Sequence, residues 1–481
     1  MTTVRQALGL AATQRLLAFA INLGTTMTIA RLITPAESGI YSLAVGLVAI
    51  VQMFRDFGVG EYLVQAQELT EKTIRSAFGM SLLLAWTLGG LLLGAAIPAA
   101  HFYKEAVVAD VVRILAINFF LVPFGYITHA LLTREMRFGT MLIIQTSSAL
   151  VGSIAAIALA WCGFGAIGLA WSLVAAMLAN TLMLLAVRPA SVAFRPDFSA
   201  WRKIGGFGLY KTSGMLLEQL ARRTPDFALS RSLGFSASGL YSRANGLADT
   251  FGDFVVGTVY RVALPQFAKI KNEGAELGAT YIETYRMFAC IPLSFFSFMA
   301  IYAEPVINVL FGHQWLPAAP AMSLIAIAGL LSTPVMLAAP ALTATGSIDK
   351  LFQAQLVANP VQILAISIAA TFSIEAVALC MCGMSVLRVV LYHRQVKRAH
   401  NVALSAVLHA LLPSLAVVAG ALLSPVLFLE WARTHSLPAL LTASAGGAMF
   451  VAGWLACLYT FRHPYRAEIG RMYRQLRTKR S

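Results

Sequence analysis

Glu218, Arg222 and Asp226 recur every four residues in a stretch that is otherwise largely apolar. That spacing sets them on one face of a helix, where side chains three or four residues apart neutralise one another. Arg223 falls off this stripe and is left over, and Pro225 removes one backbone bond beside it. Comparable groups interrupt three other apolar stretches. Arg15 lies in the first, Arg55–Asp56 in the second, and Arg243, Asn245, Asp249, Asp253 and Arg261 in the eighth. A guanidinium is planar, permanently charged and donates two parallel hydrogen bonds, so Arg15, Arg55, Arg222, Arg223 and Arg243 suit an anionic phosphate. Asp249 and Asp253 stand four apart with Asn245 one turn earlier. With Glu218 and Asp226 they form a set suited to carrying Na⁺ or a proton, since buried carboxylate pairs hold protons more tightly. Both sets have an alternative reading as salt bridges that fix helix packing.

The elements that position these groups follow from composition. The chain has 481 residues, 58% hydrophobic and 12% charged, with mean hydropathy +0.74. Soluble proteins average about 25% charged residues. This chain lacks such a polar skin, so its main solvent is lipid and it is an integral membrane protein. About 20 apolar residues cross the hydrocarbon. Windows of that length fall near 7–30, 39–64, 76–100, 108–132, 141–162, 164–187, 206–229, 239–262, 285–309, 318–345, 351–372, 374–393, 404–424 and 437–461. They predict an all-α, polytopic fold of about fourteen transmembrane helices. The first window is too long for a signal-peptide core and carries Arg15, so it reads as a membrane helix rather than a leader.

Charge sets the orientation. With both termini cytoplasmic, the basic clusters Arg188–Lys203, Arg394–Arg398 and Arg462–Arg480 all fall inside, while the outer segments carry Arg31, Lys104, Arg231 and Arg433. This is the positive-inside pattern, and it accounts for the net charge of +15 as a topology signal. No nucleic-acid module accompanies it, so no nucleic acid is expected as a partner. The basic tail suits anionic membrane lipid. The five cysteines lie in or beside apolar helices, and Cys380-x-Cys382 is not a metal or redox spacing. The eight histidines form no HxxxH pair, so no metal site is expected. GGFGLYKTS (Gly205–Ser213) imitates a phosphate loop, but Tyr210 stands where glycine is required and no strand precedes it. No ATPase follows, and no cofactor is expected beyond open coupling to Na⁺ or H⁺.

One phrase occurs twice. ESGIYSLAVGL (Glu37–Leu47) and ASGLYSRANGL (Ala237–Leu247) match at Ser38/Ser238, Gly39/Gly239, Tyr41/Tyr241, Ser42/Ser242, Ala44/Ala244, Gly46/Gly246 and Leu47/Leu247. The offset is 200 residues throughout. A fixed offset of this kind signals internal duplication. An even number of crossings per half makes the repeat parallel, related by an axis along the membrane normal. The expected organisation is a six-helix lobe over 1–190, a second over 191–400, two extra helices over 401–461 and a basic cytoplasmic tail over 462–481. Gly39 and Gly239 suit a tight outer turn; Gly46 and Gly246 suit close helix packing. The charges concentrate on the first two helices of each half, which predicts a polar, partly cationic central cleft. Arg15 and Arg55 count towards the cytoplasm, Arg222, Arg223 and Arg243 towards the outside. In the second copy Asn245, Asp249 and Asp253 replace Val45, Ala49 and Met53, so the duplication has become asymmetric.

ARLITPAESGIYSLA (Ala30–Ala44) and FRDFGVGEYLVQ (Phe54–Gln65) resemble the start of bacterial polysaccharide-biosynthesis flippases. These are the Wzx-like polysaccharide transporters of the MATE and MurJ (MOP) superfamily. RRTPDFALSRSLGFSASGLYSRA (Arg222–Ala244), LFGHQW (Leu310–Trp315), PAAPAMSLIAIAGLL (Pro317–Leu331) and ALTATGSIDK (Ala341–Lys350) are similar to later stretches of that family. The resemblance covers about residues 5–400. It implies two six-helix lobes around a central cavity in the bacterial inner membrane. It also implies translocation of a polyprenyl-diphosphate-linked oligosaccharide for lipopolysaccharide or exopolysaccharide synthesis, alongside other polysaccharide-assembly proteins. A diphosphate cargo fits the cationic cleft. The last two helices would offer a side groove for the lipid tail, as in related lipid II flippases.

Two other classes fit parts of the pattern. A MATE-type drug or metabolite exporter shares the architecture, but a cation site calls for an acidic, aromatic-lined cleft. A membrane polysaccharide polymerase or ligase calls for a large outer loop with catalytic groups. The longest outer segments here, near Ala303–Pro317 and Pro425–Leu437, hold no acid/base or nucleophile constellation, so an enzyme is not expected.

Overall fold

A chain with no water around its middle must satisfy its backbone internally, and helices do so within each segment. The computed structural model describes residues 4–56, 59–65, 69–189, 195–197 and 201–466, with no strand among them. The chain divides into two compact units, Met1–Gly239 and Leu240–Ser481. The first holds α1 (Val4–Leu32), α2 (Pro35–Asp56), α3 (Val59–Gln65), α4 (Glu71–Tyr103), α5 (Ala106–Arg134), α6 (Phe138–Trp161), α7 (Gly165–Ala186) and α8 (Trp201–Ser232). Helix α9 (Phe235–Asn272) starts there and continues into the second unit. After it come α10 (Leu277–Phe288), α11 (Cys290–Ile301), α12 (Ala303–Phe311), α13 (Ala319–Ser332) and α14 (Ala338–Ala344). The last four are α15 (Ile348–Ala369), α16 (Ile374–His400), α17 (Leu404–Thr434) and α18 (Ala439–Thr460). Short 3-10 turns occupy His313–Ala318 and Thr333–Val335.

Among the described residues, each of the fourteen apolar windows holds at least one helix. Ten segments among the described residues are long and apolar enough to cross a membrane, and the α10–α11 pair, taken as one span, makes an eleventh. The two most polar windows become α8 and α9, of 32 and 38 residues, long enough to span. The protein is therefore an all-α, multi-pass membrane protein. Large apolar side chains stay exposed along the helices of both units, among them Ile154 at 66% and Leu427 at 72%, as lipid-facing positions require.

The second window holds α2 and α3, and two later windows read as continuous are interrupted. Helix α3 is tethered to α5 by Gly60 N–H donating to Tyr126 Oη at 3.1 Å and Arg134 Nη1 donating to the Leu63 carbonyl at 2.9 Å. The ninth bends by 41° between α10 and α11, where Pro292 cannot donate to the preceding turn. The tenth breaks at Thr333–Val335, beside Pro334. Tyr285 of α10 fills that break. Its hydroxyl donates to the Pro334 carbonyl at 2.7 Å and accepts from Leu337 N–H at 3.2 Å. One buried side chain thereby satisfies both backbone groups that the break frees.

Packing in the first unit joins α4 to α5, α5 to α7, α6 to α7, and α2 to both α5 and α8. Leu43, Val48, Val112, Leu115 and Phe119 form the core between α2 and α5. In the second unit α13 lies on α16, α15 on α16, and α11 on both α13 and α17. Its core gathers Phe267, Tyr281, Tyr285, Leu337 and Val407. The last two helices are tied in by Tyr302, whose hydroxyl donates to the Pro425 carbonyl of α17 at 2.6 Å. The same ring lies against Gly446 of α18.

The repeated phrase shows its meaning at the starts of α2 and α9. A Cβ on Gly39 would run into the Phe235 carbonyl oxygen, and one on Gly239 into the Pro35 carbonyl oxygen. The two copies meet backbone to backbone, and the contact is reciprocal at the same offset of 200 residues, as a two-fold relation demands. Gly46 is also packed: a Cβ there would come within 3.0 Å of the Phe227 ring and 3.5 Å of Arg223 Cδ. Gly246 departs from the expectation of close packing, since a Cβ there would meet nothing within 4 Å. The repeat conserves the letter but not the contact. Gly39→Ala and Gly239→Ala should each destabilise the protein by roughly 1–3 kcal/mol through overpacking. Gly246→Ala should be neutral or stabilising by up to about 1 kcal/mol. Thermal unfolding of the purified protein in detergent distinguishes them; equal effects at all three positions would contradict the contact.

Candidate functional site

The charged residues fall on two local seams, one in each unit. In the first unit α8 lies along α2. Gly46 lets the helices approach, and the stem of Arg223 with the Phe227 ring fills the space a side chain would have taken. Arg223 Nη1 sits 3.5 Å from Asp226 Oδ2, and these side chains are 29% and 10% exposed. Arg222 Nη2 lies 4.0 Å from Glu218 Oε1, with both side chains about half exposed. Glu218 and Arg222 thus pair along the expected stripe. Arg223 is not left over: it pairs with Asp226. Asp226 is 7% exposed, and a buried carboxylate needs a cation beside it.

The local backbone supports this arrangement. Pro225 withholds a donor inside α8, and the Asp226 carbonyl accepts a hydrogen bond from Ser238 Oγ at 3.3 Å. Arg55 lies in the last turn of α2, nine residues beyond Gly46. At 1.5 Å per residue, that is about 13 Å along the axis from the level of Arg223. Its guanidinium carbon is 5.4 Å from the Phe119 ring centroid, a cation–π contact with a fully buried ring. Arg55 and Arg223 thus occupy two depths of one unit.

In the second unit Arg243 of α9 stands over two rings. Its guanidinium carbon is 4.8 Å from the Trp315 centroid and 5.3 Å from the Phe311 centroid. Both rings are almost completely buried. Aromatic faces attract a cation through their ring quadrupoles, so the two rings help to fix the position of the guanidinium. Asn245 Nδ2 donates to Asp249 Oδ2 at 2.8 Å, one turn along the same helix. Arg15 and Asp253 lie outside the described side chains. Among the described residues no three His, Cys, Asp or Glu side chains gather as metal ligands would.

Sequence reasoning named the arginines but not what holds them. Phe119 is 64 residues from Arg55, and Trp315 is 72 from Arg243, so neither pairing has a local signal. It also passed over Arg388, a single arginine within α16, bonded to Gln362 of α15 at 2.7 Å. Its only sequence signal is one charge in the apolar run VLRVVL.

Comparison with known proteins places the chain. A family model described as polysaccharide biosynthesis protein matches residues 28–320. The chain is 28% identical over 345 residues to the succinoglycan biosynthesis transport protein ExoT of Rhizobium meliloti, covering 70% of this chain and 69% of that protein. It is 22% identical over 322 residues to the lipopolysaccharide biosynthesis protein WzxC of Escherichia coli, covering 63% and 62% respectively. Its fold resembles that of a lipid II flippase MurJ in an inward closed conformation, with a TM-score of 0.75 at 12% identity over 96% of this chain and 99% of that one. The chain belongs to the polysaccharide biosynthesis protein family. Asp226→Asn should destabilise the protein by roughly 1–3 kcal/mol, because it strips Arg223 of its buried counter-charge. Glu218→Gln should change stability by less than about 1 kcal/mol, as exposed pairs do. Thermal unfolding of both variants checks this, and a larger loss from Glu218→Gln would refute the pairing.

Proposed function

We propose that this protein is a lipid-linked oligosaccharide flippase. It moves polyprenyl-diphosphate-bound repeat units from the cytoplasmic to the outer leaflet of the bacterial inner membrane, for assembly of a surface polysaccharide. The observation that carries the reading is the family match over residues 28–320. That stretch contains Arg55, Arg222, Arg223 and Arg243. A diphosphate headgroup is the part of such a cargo that hydrocarbon excludes most strongly. Guanidinium groups inside membrane helices offset that exclusion.

In this reading Arg55 and Arg223 contact the diphosphate at successive depths along the α2–α8 seam. Arg243, clamped by Trp315 and Phe311, presents a fixed cation in the second unit. Arg222 and Arg15 belong to the same headgroup set. The 200-residue repeat supports alternating access by two related halves, with both termini in the cytoplasm. No covalent step is involved, so the protein acts as a transporter and not as an enzyme. Coupling to Na⁺ or H⁺ would fall to Asn245, Asp249 and Asp253, while the pairing of Glu218 and Asp226 with arginines favours a packing role for those two.

The test is leaflet exchange in reconstituted vesicles, using a short-chain prenyl-diphosphate oligosaccharide. The wild type should move it, and Arg55→Ala combined with Arg223→Ala should slow the movement by about tenfold or more. Movement that survives the double change would return those arginines to packing. No movement of the oligosaccharide, with export of small organic cations instead, would overturn the flippase reading.

A further inference from the structure

Arg388 is the fifteenth residue of the 27-residue α16. At 1.5 Å per residue it lies about 21 Å from the start of that helix and about 9 Å before Arg394, where the basic inner end begins, and its side chain reaches Gln362, about 11 Å inside the end of α15. A charge at that depth requires an explanation. The common one is a carboxylate partner, and here the partner is an amide. Arg388 Nη2 donates to Gln362 Oε1 at 2.7 Å. Among the described residues that is its only hydrogen bond, and its Nε is buried with no acceptor.

The neighbouring helix repeats the pattern. Asn359 lies three residues before Gln362 on α15 and so shares its face. It is 1% exposed, and its Nδ2 is buried without an acceptor. Gln362 and Ser385 beside them are also buried. The seam between α15 and α16 therefore holds two idle donors, one of them on a cation. Apolar packing would not retain such a set, since unmade bonds are costly where water cannot make them. What complements donors alone is an acceptor-only group with several lone pairs, namely an ionised oxyanion.

We infer that Arg388, Asn359 and Gln362 form an oxyanion subsite on the α15–α16 seam of the second unit. The inference rests on the flippase reading. The guanidinium is held at Gln362, about 11 Å inside the end of α15, below the level of the surrounding headgroups, so the oxyanion arrives with the cargo. It is either the diphosphate of the carrier lipid or the carboxylate of an acidic sugar. Both offer paired oxygens to the free edge of the guanidinium.

The full-length protein in phosphatidylcholine nanodiscs is titrated with three soluble probes: citronellyl diphosphate, methyl glucuronate and the uncharged citronellol. Arg388→Gln should weaken one anionic probe by about tenfold or more and leave citronellol unchanged. Arg388→Lys should weaken it less, because charge remains without the fork. The affected probe identifies the oxyanion. Asn359→Ala provides a second reading should Arg388→Gln fail to fold, and should weaken the same probe. The inference is overturned if Arg388→Gln or Asn359→Ala, folded by thermal melting, binds both anions within about twofold of wild type. If Arg55→Ala with Arg223→Ala loses binding in that case, the flippase reading stands without this subsite. A wild type that binds neither anion overturns both.

Discussion

Inside a bilayer no water is available to complete a hydrogen bond or screen a charge, so the protein must supply each partner itself. Much of this structure follows from that one constraint. Buried Asp226 holds Arg223 at 3.5 Å. Where α13 gives way to a 3-10 turn, Tyr285 serves both freed backbone groups. Arg243 lies against Trp315 and Phe311, whose faces stabilise a cation. The same constraint makes the exceptions informative, because a donor left idle at membrane depth has been retained against its cost.

The duplication shows how such a chain acquires direction. The two copies of the repeated phrase meet through Gly39 and Gly239, and their reciprocal backbone contact preserves the original relation. Around it the copies have diverged. The first enters its helix through a capping box, in which Thr34 N–H donates to Glu37 Oε2 at 2.7 Å and Glu37 N–H to Thr34 Oγ1 at 3.3 Å. The second has Gly234 and Ala237 in those places and turns through a positive φ of 87° at Gly234. Gly46 receives Phe227 and Arg223 while Gly246 receives nothing. Val45 and Ala49 correspond to Asn245 and Asp249, which bond to each other. Packing is kept at the contact, and polar groups are added in the second copy.

The helices were legible in the sequence because the bilayer imposes a length, and each window of about 20 apolar residues marks one. The family was legible in the motifs around Arg31, Gly39 and Gly239, which lie inside the stretch that the family model matches. The partners of the charges were not. Glu218 and Arg222 do pair at the four-residue spacing, but Asp226 also takes Arg223 at the three-residue spacing, and spacing alone does not choose between the two. The aromatic clamps on Arg55 and Arg243 join residues more than 60 positions apart and leave no local trace. The breaks near Ala289 and Thr333 were marked by Pro292 and Pro334, but unbroken apolarity concealed them.

Charged side chains fixed at several depths, in a fold like that of a lipid II flippase and a family of polysaccharide biosynthesis, fit a cargo that is anionic at its head and otherwise lipid and sugar. Native mass spectrometry of the intact protein, supplied with prenyl-diphosphate oligosaccharide in excess over bilayer phospholipid, addresses this most directly. The account predicts a bound species with the mass of the lipid-linked oligosaccharide, released when a soluble prenyl diphosphate is added. Protein that carries only ordinary phospholipid under those conditions, or that binds organic cations in its place, would contradict it.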